Sequence, residues 1–283
     1  MSTSSEKINH LTCKTIEALE AGVDLRALAL ADQLVATAPH SGAARRLRSM
    51  ILLGRSDADA AFLESCEAVR LMPEDAHSHR ILGIAAWQSD RCERAQEALE
   101  EAVRLSGDEP LMLAELAWFL SLKRGPQLAK MTARQAIGAN PISGTAWAAM
   151  AMVHSREEEL DLAVSNVTKS LQVEPGNPNA LFVLLQILQQ YHLDIDAIDL
   201  AKKFRGVPEA DAIRRECETR LQKKTQVAKL VEGGVADHPV NHTPIATLRK
   251  EKKSRLPRAF DLLWVLLGGV LGTAGLLLLK WFF

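Results

Sequence analysis

The chain has 283 residues, a formal net charge of −1, 47% apolar residues and only 5% aromatic ones, a composition suited to one long Ala- and Leu-rich helical stack with an anchor. Residues 249–258 carry six basic side chains and Glu251, so they contribute +5 and leave −6 on the rest of the chain; a mildly acidic body argues against general nucleic-acid binding. The four cysteines, Cys13, Cys66, Cys92 and Cys217, are scattered with no CxxC pair, which argues against a disulfide framework or a zinc ribbon and reads as reduced thiols in a cytosol-like compartment.

Residues 1–7 are polar and serine-rich. They lack the apolar run of a secretory signal and the arginines of a transit peptide, so the chain is expected to stay in the compartment where it is made. A ladder of alanines then begins. Ala27, Ala61, Ala95, Ala129, Ala163 and Ala197 are each 34 residues from the next. Twelve positions after an alanine stands a helix breaker: Pro39, Pro73, Gly107, Pro141 and Pro175, with Glu209 ending the series. Twelve positions before it the residue is small: Thr15, Ser49, Gly83, Ala117 and Ala151, with Leu185 the exception. A fixed period of this length predicts two helices per unit, crossing where both carry a small side chain, with the breaker closing each unit.

These marks resemble the tetratricopeptide repeat (TPR). The family pattern of a bulky residue early in the first helix, a small residue one turn later, an alanine in the second helix and a closing proline fits Leu82-Gly83, Ala95, Leu99 and Ala102 in one unit. It fits Leu116-Ala117, Ala129, Ala136 and Pro141 in the next, and Trp147, Ala151, Ala163 and Pro175 in the one after. The first two units fit less well, with Arg45 and Arg48 where the family prefers apolar residues. The resemblance implies an all-α, right-handed superhelical solenoid over residues 8–211, with about six helix pairs starting near 8, 42, 76, 110, 144 and 178. Each pair's apolar stripe is buried only by stacking on its neighbours.

In the family the first helices line a concave groove that takes peptides or a partner's helix. By fixed offset the groove here is expected to hold Ile16, Met50, Ile84, Trp118 and Met152, with Arg46, Arg80 and Trp87 beside them. An apolar floor with two arginines near one end suits an amphipathic segment of some acidic character. The same side chains also suit packing between repeats, so both readings stand. A carboxylate clamp of the co-chaperone kind is not expected, since its lysine and asparagine sites hold Thr12, Ile16, Arg46, Met50, Arg80 and Ile84.

At the end of the array, Ala210, Ile213, Cys217 and Leu221 recur at helical spacing and predict one more helix over 208–231, whose part beyond the array, 212–232, caps the last repeat. A linker follows over 233–258, marked by Pro239, Pro244 and Pro257. His238 and His242 within it, and His77 and His79 earlier, make poor chelates, and no metal or cofactor is expected. Arg249, Lys250, Lys252, Lys253, Arg255 and Arg258 are placed to contact lipid headgroups. The stretch 262–279 is 18 residues without a charge, bracketed by Asp261 and Lys280 with Trp264 and Trp281 near its two ends, and predicts a transmembrane helix within 259–281. Gly268, Gly272 and Gly275 share one face of it and would permit close packing against another copy or another membrane protein.

No phosphate loop, HExxH, GxSxG or catalytic dyad occurs, and Glu157, Glu158 and Glu159 read as solvated surface at a helix–helix turn. The sequence therefore predicts a non-enzymatic, tail-anchored scaffold that binds protein partners or peptides at the cytoplasmic face of a bacterial inner membrane, its short C-terminus across the bilayer. The other reading is a chaperone-like array holding hydrophobic substrates for a secretion or insertion machine.

Overall fold

The computed structural model describes residues 4–21, 23–204 and 208–234. Among the described residues there are thirteen α-helices and no strand: α1 (Ser4–Glu20), α2 (Asp24–Thr37), α3 (Gly42–Gly54), α4 (Ala58–Leu71), α5 (Ala76–Gln88), α6 (Cys92–Ser106), α7 (Pro110–Lys123), α8 (Pro126–Ala139), α9 (Gly144–Arg156), α10 (Leu160–Val173), α11 (Pro178–Gln190), α12 (Asp194–Ala201) and α13 (Pro208–Gly234).

The helix starts follow local chemistry. Ser41, Asp75, Ser143 and Asn177 each accept a hydrogen bond from the backbone N–H three residues on, capping α3, α5, α9 and α11. Such a cap contributes roughly 1 kcal/mol. In α7 a proline takes the first helical position instead, where its missing N–H costs nothing. Within pairs the tight turn needs one residue in the left-handed region: Ser56, Asp90, Glu158 and His192 have φ of 61°, 58°, 61° and 57°. In the fourth pair Gly125 makes the turn at φ 112°.

The alanine ladder lies where the two helices of each pair cross. All six alanines are fully buried, as are Thr15, Ser49, Ala117 and Ala151 twelve positions earlier. At the α3–α4 crossing the Ser49 hydroxyl donates to the Ala61 carbonyl at 2.8 Å. At the α5–α6 crossing a Cβ on Gly83 would stand 2.6 Å from Leu99 Cγ. These pairs approach as closely as their side chains allow, which is why one small residue is needed on each side. Surface ion pairs between successive units, Arg91–Asp59 at 2.8 Å and Lys123–Asp90 at 3.3 Å, are exposed and screened by solvent; the stack is held by apolar burial.

The last unit departs from the pattern. Leu185 fills its crossing and is buried, and α12 stops after 8 residues. Helix α13 begins at Pro208 and buries Ala210, Ile213 and Cys217 in one cluster with Leu200 and Phe204. The Asp194 carboxylate, 1% exposed, holds it with Arg220 at 3.0 Å and Lys224 at 2.6 Å.

Among the described residues no helix is long and apolar enough to cross a membrane. The stretch 262–279 with Gly268, Gly272 and Gly275, the basic residues Arg249, Lys250, Lys252, Lys253, Arg255 and Arg258, and His238 and His242 lie outside the described residues.

Candidate functional site: an apolar cavity lined by the first helices

The first helices of successive pairs line most of a solvent-open cavity of about 640 Å³, within the roughly 300–1,000 Å³ of ligand pockets. Helix α3 supplies Met50 and Leu53, α5 supplies Arg80, Ile81, Ile84, Trp87 and Gln88, and α7 supplies Leu111, Ala114, Glu115 and Trp118. Leu99 of α6, Thr145 of α9, Asn179 of α11 and Glu174 complete the wall. The α7 residues recur at three- and four-residue spacing, so one helical face points at the cavity.

Of the residues singled out by offset, the structure brings Met50, Arg80, Ile84, Trp87 and Trp118 together in this wall. Three are placed elsewhere. Met152 is fully buried in the core beside Ala163, Val167 and Leu184, because small neighbours at Ala148 and Ala151 let α9 pack deeply. Ile16 on α1 is 40% exposed and outside the cavity wall. Arg46 is paired with Asp75, the cap residue of α5.

Neither arginine is free for an acidic partner. Arg80 donates from Nε to Glu115 Oε2 at 2.6 Å and from Nη2 to Oε1 at 2.5 Å, a bidentate pair between α5 and α7 with side chains 19% and 12% exposed. Burial works against the Arg80 charge, but the Glu115 carboxylate outweighs it and raises the guanidinium further above its usual range. Glu174 is likewise taken, accepting from Asn177 Nδ2 at 2.8 Å. The floor is therefore apolar, with Arg80 and Glu115 balancing each other and Glu174 hydrogen-bonded to a neutral amide at the edge of the wall.

The aromatic side chains have two jobs. Trp118 faces the cavity and also packs against Phe182, with ring centroids 6.4 Å apart; Phe182 meets Phe204 edge-on at 6.1 Å. Trp87 meets Phe119 edge-on at 5.8 Å. Each indole is thus anchored by a core ring and presents its remaining surface to the cavity. A row that offset reading missed is Leu111, Thr145 and Asn179, at 34-residue spacing and eighteen before the ladder alanines; that spacing was the available signal. Glu115 carried a weaker one, lying 35 residues beyond Arg80 on the next first helix.

Glu157 and Glu159 are not plain solvated surface. With His154 they form the one cluster among the described residues that could gather donor atoms around a cation. Lys130 already sits there, its ammonium 2.8 Å from Glu157 and 3.5 Å from Glu159, while His154 Nδ1 bonds Glu159 at 2.5 Å. The cluster stitches α8 to the α9–α10 turn.

No family model matches the chain and no curated protein matches it. Among solved structures, the thermophilic TPR protein TTC0263 of Thermus thermophilus superposes with a TM-score of 0.56 at 16% identity, covering 61% of this chain and 94% of that one. Pseudomonas aeruginosa pilF superposes with a TM-score of 0.54 at 16% identity, covering 77% of this chain and 99% of that one. At such identities the likeness concerns the fold, and the fold of this chain is an all-α, TPR-like helical-repeat solenoid.

Proposed function

We propose that this protein is a membrane-tethered TPR scaffold that seats an apolar segment of a partner protein in the cavity, supporting assembly of a membrane complex at the cytoplasmic face. The observation that carries this reading is the cavity itself: Met50, Ile84, Trp87 and Trp118 give the concave side of the array an apolar lining. Apolar surface held open on a repeat protein is an aggregation hazard unless a partner covers it. The tether is the uncharged stretch 262–279 preceded by the basic run 249–258, which together suit a span with its basic flank in the cytoplasm. Catalysis has no place in this reading.

The test is the double variant Ile84→Ala/Trp118→Ala in the full chain, with partner capture by crosslinking in native membranes. Truncating a buried aromatic anchor typically costs 2 kcal/mol or more, so capture should weaken about thirty-fold or more while helical content is kept. Undiminished capture would move the working surface elsewhere. A folded complex component among the captured proteins supports the scaffold; an unfolded exported protein would make the array a holding chaperone. Carbonate extraction and protease accessibility in sealed cells test the tether: release of the chain, or digestion of the array from outside, would overturn it.

A further inference from the structure

We infer that the cavity's first occupant is part of this chain's own stretch 262–279, a few of its apolar side chains seated there until it enters a bilayer; the inference rests on the reading of the cavity as the binding surface. Charge matching selects the occupant. Arg80 and Glu115 are spent on each other, and Glu174 is bonded to Asn177. The wall therefore offers no free cation, and an acidic side chain entering among Met50, Ile84, Trp87 and Trp118 would lose water without gaining a partner. Residues 262–279 carry no charge and a single hydroxyl, at Thr273.

Reach and concentration agree with the chemistry. Helix α13 packs against α11, which also contributes Asn179 to the cavity. Between Gly234 and Leu262 lie 27 residues, which extended at about 3.3 Å each reach about 90 Å, more than twice the length of α13 at about 1.5 Å per residue. A tether of this kind sets an effective concentration on the order of millimolar, so a free competitor meets an occupied cavity. Insertion into a bilayer removes the occupant. The same stretch then acts first as a plug and afterwards as an anchor, and partner capture is confined to molecules already on the membrane.

The experiment places a benzophenone-bearing phenylalanine analogue at Ile84, and separately at Met50, in the full chain synthesised without membranes; circular dichroism confirms the helices. On irradiation the expected product is an intramolecular crosslink to a peptide within 262–279, at monomer mass. It should fall at least ten-fold when phosphatidylethanolamine/phosphatidylglycerol vesicles are present, and fall likewise in Leu266→Arg/Leu271→Arg without vesicles. Absence of that crosslink at both probe positions, a crosslinked dimer in its place, or a yield indifferent to vesicles would overturn the inference. If Ile84→Ala/Trp118→Ala abolishes partner capture while the self-crosslink is absent, the cavity is still the binding surface and only self-docking fails.

Discussion

Gly83→Ala separates two physical expectations by sign. In an exposed helix the change stabilises by about 1 kcal/mol, because alanine loses less backbone freedom on folding than glycine. Here the added methyl would stand 2.6 Å from Leu99 Cγ, 2.8 Å from Cδ2 and 3.2 Å from the Leu99 backbone nitrogen. Leu99 is 2% exposed and its backbone nitrogen is also close, so the relief has to come from shifting the Leu99 side chain toward the cavity it borders together with some separation of α5 from α6. Overpacking of this kind costs about 1–3 kcal/mol, which leaves a net destabilisation of about 1 kcal/mol. The assay is urea unfolding of the full chain in mild detergent, followed by far-UV circular dichroism, as a double-mutant cycle. Leu99→Ala alone should cost about 2–5 kcal/mol. In that background Gly83→Ala should stabilise, giving a coupling of about 2 kcal/mol. A stabilised single variant, or strictly additive effects, would show that the two helices do not meet at this point.

Met152→Ala should cost about 2–5 kcal/mol in stability, read as a lowered urea midpoint, and should leave partner capture unchanged under conditions where the chain is folded; an unchanged midpoint would take Met152 out of the core. Asp194→Asn removes the carboxylate that grips Arg220 and Lys224 and should loosen α13 by about 3 kcal/mol, seen as faster amide exchange over 208–224 with the rest of the array unaffected; uniform exchange across the array would refute it. At Asp75 burial pushes the carboxyl up, but hydrogen bonds from Ser78 and Arg46 and the Arg46 charge outweigh it and hold the group below its usual range. A depressed acid contributes stability that is present above its unfolded pKa of about 3.9 and is lost as pH falls through the folded value. Asp75→Asn keeps a cap and should flatten the acid limb of the pH–stability curve; an unaltered acid limb would show that Asp75 adds nothing there.

What the sequence made legible was the crossing geometry. A position that must be small for backbones to approach leaves a residue-type mark at fixed period, and the ladder from Ala27 to Ala197 carries it. The cavity was legible only in part. An offset fixes which way a side chain leaves its helix, and on that basis Met50, Ile84, Trp87 and Trp118 share one wall. It does not fix how deeply the neighbouring helices sit: Met152 has the same offset as Trp118 but is covered by α10 and α11. Nor does an offset show a partner across the gap. Arg80 reads as a free cation until Glu115 of the next first helix is seen to hold it with two hydrogen bonds.

The sixth unit shows how such an array is brought to an end. Units one to five repeat a small crossing residue, an alanine and a breaker, and each presents an apolar edge to its successor. In the sixth, Leu185 replaces the small residue, Glu209 replaces the breaker, and α12 is 8 residues where the preceding second helices run to 14 or 15. These changes act together. With α12 cut short the chain turns back at residues 202–204 and α13 starts at Pro208, four residues ahead of the 34-residue register set by Pro178. Coming early, α13 covers the edge that a seventh unit would otherwise have covered, burying Ala210, Ile213 and Cys217. Its outer side carries Arg215, Glu216, Glu218 and Lys223, so no further helix pair is invited to stack. Asp194 anchors the arrangement from inside, because a buried carboxylate facing two cations on one helix holds that helix in one register. The period builds the array, and the departures from it at Leu185, Glu209 and Asp194 close it.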